Sequence, residues 1–237
     1  GDDKRRSEFE REGKFGYAVG FPNLIRLVMQ WSSEERYVDG VRRRTPIIPE
    51  DAVREVIANA LIHQDFTKDG AGPVVEIFAN RIEVINPGHS LIEPDRMIDE
   101  RRSRNELLAE TMRGLGLCEE RGGGLDKAIM ALEEAYLPAP EFIPSEDSMR
   151  VVLFGPRPFK KMSKQDKQRA CFFHCVIRWM QQDYMSNSSL RKRFSLDDDD
   201  YQAVSVIISE AIKAGRIAPA DPKQGKKNAR YVPYWAA

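Results

Sequence analysis

The sequence predicts an α/β (α+β) chain in two modules. The front packs helices on a sheet; the tail is three helices closed by a two-stranded ribbon. Three observations carry this. A strand pair, "PVVEIFANRIEVINPG" over 73–88, lies between segments whose apolar residues recur with helical spacing. The stretch "FGPRPFKKMSK" over 154–164, with two prolines and a basic cluster, interrupts the chain just after the strand-like "MRVVLF". The charge changes sign at the same place. From Lys160 onward there are 15 Lys+Arg against 8 Asp+Glu, so a chain of zero net charge is +7 behind and −7 in front. A length of 237 residues suits one large or two small domains. We divide it into 1–158 and 159–237.

The elements follow in order. "FPNLIRLVMQWSSEE" has helical periodicity. "IIPEDAVREVIANALIHQ" reads as a second helix, with Pro49, Glu50 and Asp51 suited to its N-terminus. The strand pair turns at "AN" and closes at "NPG". "RNELLAETMRGLGL" is helical and ends in glycines, whereas "GGGLDKAIMALEEAYL" begins with glycines and continues as a helix. "EFIPSEDSMRVVLF" reads as a closing hairpin. The tail reads as helices 164–182, 187–194 and 198–214, then a ribbon ending "ARYVPYW". That is the order of a winged helix-turn-helix.

Composition narrows the function. An apolar share of 41% can build a core. No apolar run approaches the roughly 20 residues of a membrane span, and no leader is recognisable, so a membrane partner and secretion are not expected. Three cysteines are too few for a disulfide framework and fit a reducing, cytoplasmic setting. "CFFHC" over 171–175 is no zinc site by spacing: Cys171 and Cys175 share a helix side, but His174 does not. The charged opening, "GDDKRRSEFEREGK", leads us to expect a preceding domain.

Four features of the front module point to one chemistry. Glu55 and Asn59, four apart in "EVIANALIHQDF", share a helix face, and His63 continues it. Asn86-Pro87-Gly88 ends a strand, and Arg104-Asn105 opens a helix. Gly122-Gly123-Gly124 opens another, where backbone N–H groups and the helix dipole favour a phosphate. A carboxylate can act as base toward water, and an amide oxygen is a hard ligand for Mg²⁺. The plainer alternative is a helix with a polar edge and a glycine turn.

"EVIANALIH" resembles the first conserved box of the GHKL ATPases, such as gyrase and the histidine kinases, in which Glu-x-x-x-Asn-Ala is typical. "ERGGGLDKAI" resembles their second glycine box. The run "AVREVIANALIHQDF … NRIEVINPG … RNELLAETMRGLGLCEERGGGLDKAI … LPAPEF" is similar to one divergent branch, the RecG-helicase-related C-terminal domain. In prokaryotic transcriptional regulators that domain usually follows a Schlafen-like AlbA-type DNA-binding domain, and the tail resembles the winged-helix end of the same proteins.

The resemblance implies a Bergerat-like two-layer sandwich with a mixed sheet, with ATP and Mg²⁺ as cofactors. Glu55 would be the general base and Asn59 the Mg²⁺ ligand. Gly122, Gly123 and Gly124 would hold phosphate, and residues 89–121 would form a lid. His63, Asn86, Gly88, Arg104 and Asn105 complete the expected nucleotide site. One departure stands out. The family has Asp-x-Gly-x-Gly after the strand, whereas this chain has Asn86-Pro87-Gly88-His89-Ser90, so adenine would meet an uncharged acceptor.

For the tail, the expected partner is duplex DNA. Arg191, Lys192 and Arg193 on the second helix and Lys223, Lys226, Lys227 and Arg230 in the ribbon supply charge, with Gln202 and Ser205 reaching from the third helix. The reading is a DNA-binding transcriptional regulator with a nucleotide-responsive or vestigial ATP-binding module and an AlbA-type domain ahead of it. Two alternatives stand beside it: a Mg-dependent ATPase acting on nucleic acid, and a module that only forms a homodimer. No Gly-x-x-x-x-Gly-Lys-Ser/Thr loop favours a helicase motor.

Overall fold

A computed structural model describes residues 9–68, 72–118, 124–225 and 228–237. The chain forms two compact units. The first comprises Gly1–Ala131 with Pro140–Pro156, the second Leu132–Ala139 with Arg157–Ala237. The second unit thus takes in 132–139, a segment that the sequence division left in front.

In the first unit, α1 (Tyr17–Trp31) buries Phe21, Ile25 and Val28, spaced four and three apart on one face. It stops earlier than periodicity suggested. The Ser32 and Ser33 hydroxyls turn back onto the carbonyls of Val28 and Met29, at 2.7 and 2.5 Å, which competes with continued helix. The "SSEE" segment instead opens a hairpin of β1 (Ser33–Val38) and β2 (Val41–Pro46). Asp39 and Gly40 turn it with φ of 52° and 74°, the left-handed pair a tight hairpin needs. The Asp-Gly dipeptide was the signal for this missed element.

α2 (Glu50–His63) begins with Pro49 as its N-cap residue and Glu50 and Asp51 in its first turn, and buries Val53, Val56, Ile57, Ala60 and Leu61. It packs on β4 (Arg81–Pro87) and contacts α1 and α3 (Glu106–Gly114). The main sheet has the order β3 (Val74–Phe78), β4 (Arg81–Pro87), β6 (Ser148–Phe154), β5 (Glu141–Pro144). The expected mixed sheet is corrected here: every pairing is antiparallel. Short turns join β3 to β4 and β5 to β6, which permits only hairpins. Ile82 and Val84 of β4 and Leu153 of β6 are buried, and the helices α3 (Glu106–Gly114) and α4 (Gly124–Glu134) complete an α+β fold compatible with a two-layer sandwich.

In the second unit, α5 (Lys164–Met180) and α6 (Asn187–Arg193) each start in a capping box, Ser163 with Asp166 and Ser186 with Ser189. Next come α7 (Tyr201–Lys213) and a short antiparallel ribbon of β7 (Ile217–Pro219) and β8 (Tyr231–Pro233). Phe172, Leu190, Val204 and Val232 lie in its core. Among the described residues, no helix is long and apolar enough to cross a membrane.

Candidate functional site

The first unit holds a cavity of about 280 Å³, near the lower end of ligand pockets. Several elements build it. One turn of spacing places Glu55, Asn59 and His63 on the α2 face that borders it. Asn86, Met149, Val151 and Phe142 form its floor on the sheet. The 89–104 segment, Ala109, Arg113 and Cys118, and the start of α4 supply the rest of the wall.

The Asn59 amide is oriented. Its Nδ2 donates to Glu55 Oε1 at 2.9 Å, while its Oδ1 accepts from no described residue. That leaves the oxygen presented to a cation or ligand. The Glu55 carboxylate lies against Gly124, the first residue of α4, so closely that a Cβ there would overlap it. A Cβ at 124 would have to displace the end of the Glu55 side chain. The contact also sets an anionic group at a helix N-terminus, where the dipole favours one. One amide oxygen and one carboxylate suit a Mg²⁺ ion that takes its remaining ligands from phosphates and water, so the residues present fit that cofactor. Asn59 would hold the ion, and the ion would neutralise phosphate charge.

His63 lines the cavity without a hydrogen bond to any described residue. Burial first, and then the nearby Arg104 guanidinium, hold its pKa below the ordinary 6.5. The folded chain therefore binds this proton less well than the unfolded one. Stability is full above pH 6.5 and falls as pH drops from there through the lowered value. We expect the melting temperature to decline over that window and His63→Gln to flatten the decline. Melting curves of equal slope in both proteins would contradict it.

Arg104 anchors the 89–104 wall. It reaches Asp65 Oδ2 at 3.2 Å and donates to the His89 carbonyl at 2.7 Å. The Asp65 carboxyl is held below its usual range, chiefly by the Thr67 hydroxyl and backbone N–H, with Arg104 and Lys68 adding to them. Two expected ligand residues lie outside the cavity lining. Asn105 does not line the cavity; its amide donates to the Ile62 and Gln64 carbonyls at 2.7 and 2.9 Å, capping the end of α2. Gly88 is likewise set back, in a left-handed backbone with φ of 106° against Asp65. Gly122 and Gly123 lie outside the described residues. Sequence reasoning missed Arg101, Arg102 and Ser103, which border the cavity beside Arg104. The cluster "RRSR" was a readable anion signal.

In the second unit, Tyr201, Ser205 and Ser209 of α7 line a groove with Asn187, Arg191 and Arg230. Asn187 donates to the Ser205 hydroxyl at 2.9 Å, and Arg191 donates to the Asn187 side-chain oxygen at 2.9 Å and pairs with Asp198. Lys192, Gln202, Lys223 and Arg230 are exposed, whereas Lys226 and Lys227 lie outside the described residues. Arg193 requires a correction. It is buried, donating to the Leu137 carbonyl at 2.6 Å with its Nε 3.1 Å from Glu133, so it cannot face a phosphate backbone. The helix turn that exposes Lys192 points its neighbour inward. Cys171 and Cys175 are buried, and burial raises both thiols, Cys171 to about 12.

Comparisons with known proteins cover part of the chain. Residues 70–153 match the family described as "Putative ATP-dependent DNA helicase recG C-terminal", so this segment is similar to a divergent ATPase-like domain. The match includes Asn86 and Arg104 but begins after Glu55 and Asn59. No curated protein matches the chain. A solved structure, that of the DIP2311 protein from Corynebacterium diphtheriae, is similar at a TM-score of 0.56 and 19% identity over 92% of this chain. The chain spans 46% of that protein, and the likeness speaks for the fold alone.

Proposed function

We propose that the first unit binds a Mg-nucleotide in this cavity and that the second, a winged helix by element order, binds duplex DNA. The chain would then serve as a nucleotide-responsive transcriptional regulator. The observation that carries the reading is the convergence of Glu55, oriented Asn59, Asn86 and Gly124 on one cavity. Support for the DNA half comes from the groove along α7, lined by Arg191 and Arg230, and from the exposed cations Lys192 and Lys223 of the same unit. Asp197–Asp200 oppose it, and the pairing of Arg191 with Asp198 offsets part of that repulsion.

The experiment is a salt titration of duplex binding by fluorescence anisotropy. Replacing Lys192, Lys223 and Arg230 together by Ala should weaken binding and reduce the log–log salt slope by about 2 to 3, roughly 0.9 per lost phosphate contact. An unchanged slope would remove this surface from the interface. A second reading, slow ATP hydrolysis acting on nucleic acid, is favoured by the Asn59 hydrogen bond that orients the Glu55 carboxylate.

A further inference from the structure

The floor of the cavity carries one buried polar side chain. In β4, Ile82, Val84 and Asn86 alternate onto one face. The register sets Met149 opposite Asn86, Val151 opposite Val84, and Phe142 opposite Val151. Asn86 therefore shares its face with Met149, Val151 and Phe142, and all four line the cavity. Asn86 is only 7% exposed. Its Nδ2 has a single long contact, 3.5 Å to the Pro87 carbonyl, and its Oδ1 accepts from no described residue. Strand register sets the amide on the cavity wall, where its Oδ1 is open to a partner and its Nδ2 holds only one long contact.

An apolar floor with one carboxamide is complementary to a flat heterocycle whose edge carries a donor beside an acceptor. We propose that Asn86 reads the edge of a purine ring and accepts 6-amino and 6-oxo purines alike. The proposal rests on the nucleotide reading above and specifies its base selectivity. Adenine offers N6–H beside N1, an amino donor and a ring acceptor. Hypoxanthine offers O6 beside N1–H, the same pair in reverse order. A half-turn of the amide matches either order and gives up only the 3.5 Å contact. The other floor residues, Met149, Val151 and Phe142, have no hydrogen-bonding group suited to choosing between the two.

The test is calorimetry with ATP, ITP and inorganic pyrophosphate, each with Mg²⁺, on the wild type, Asn86→Leu and Asn86→Ser. ATP and ITP should bind the wild type within about threefold of each other. Both should weaken by about tenfold or more in the variants, as two lost hydrogen bonds imply, while pyrophosphate is unchanged. A wild-type preference above tenfold for either nucleotide overturns the proposal, as does unchanged nucleotide affinity in folded variants. Pyrophosphate binding with neither nucleotide tighter would leave the phosphate site standing and overturn the edge reading. No binding of any probe overturns both.

Discussion

Gly88→Ala is expected to destabilise the first unit by about 3 kcal/mol, lowering its melting temperature by roughly 6–12 °C. Gly88 sits just beyond β4 with φ of 106°, where an L side chain is strained whatever the space. There is also no space. A Cβ at 88 would lie 2.7 Å from Asp65 Cβ and 3.3 Å from the Asp65 backbone N, and 3.4 Å from Arg104 Cζ. Asp65 cannot retreat cheaply, because its own N–H is bonded to the Pro87 carbonyl at 2.8 Å and its carboxylate to Thr67 and Arg104. Thermal melts of the two proteins decide the matter. A shift under 2 °C would mean that this packing is looser than the geometry implies.

Glu55→Gln is expected to lower any Mg-ATP hydrolysis at least about 100-fold, the usual contribution of a positioned general base. The carboxylate is held by Asn59 Nδ2 at 2.9 Å and set against Gly124 at the start of α4. Gln keeps the size and loses the charge. Nucleotide binding should persist or tighten, because a negative charge is removed from beside the phosphates. Phosphate release under saturating nucleotide measures the first part and calorimetry the second. Turnover within threefold of wild type would show that Glu55 is not the base.

Much of this was legible in the chain. The four-residue spacing of Glu55, Asn59 and His63 places all three on one side of α2, because helical geometry is local. The strand pair of β3 and β4 was readable from its turn residues, and the charge reversal marked the tail. What could not be read depends on contacts distant in sequence. The partnership of Asp65 with Arg104 spans 39 residues, and Gly88 packs against both. Asn105 looked like a site residue beside Arg104, but its amide satisfies the end of a helix more than forty residues earlier. Arg193 shared a basic run with Lys192, and only the packing of α6 shows that one is buried and the other exposed. The β1–β2 hairpin was missed for another reason: the helical periodicity of α1 continues in sequence through the serines that end the helix.

The central claim is that the cavity around Glu55, Asn59, Asn86 and Gly124 binds a Mg-nucleotide. Titration calorimetry of the whole chain with ATP, with and without Mg²⁺, tests it most directly. With a neutral amide at Asn86 in place of a carboxylate, the account predicts a Kd no tighter than about tens of micromolar. It further predicts that Asn59→Ala removes the Mg-dependent part of the affinity and leaves the rest. No heat from ATP, AMP or pyrophosphate in the wild type, under either condition, would contradict it and leave α2 as a helix with a polar edge.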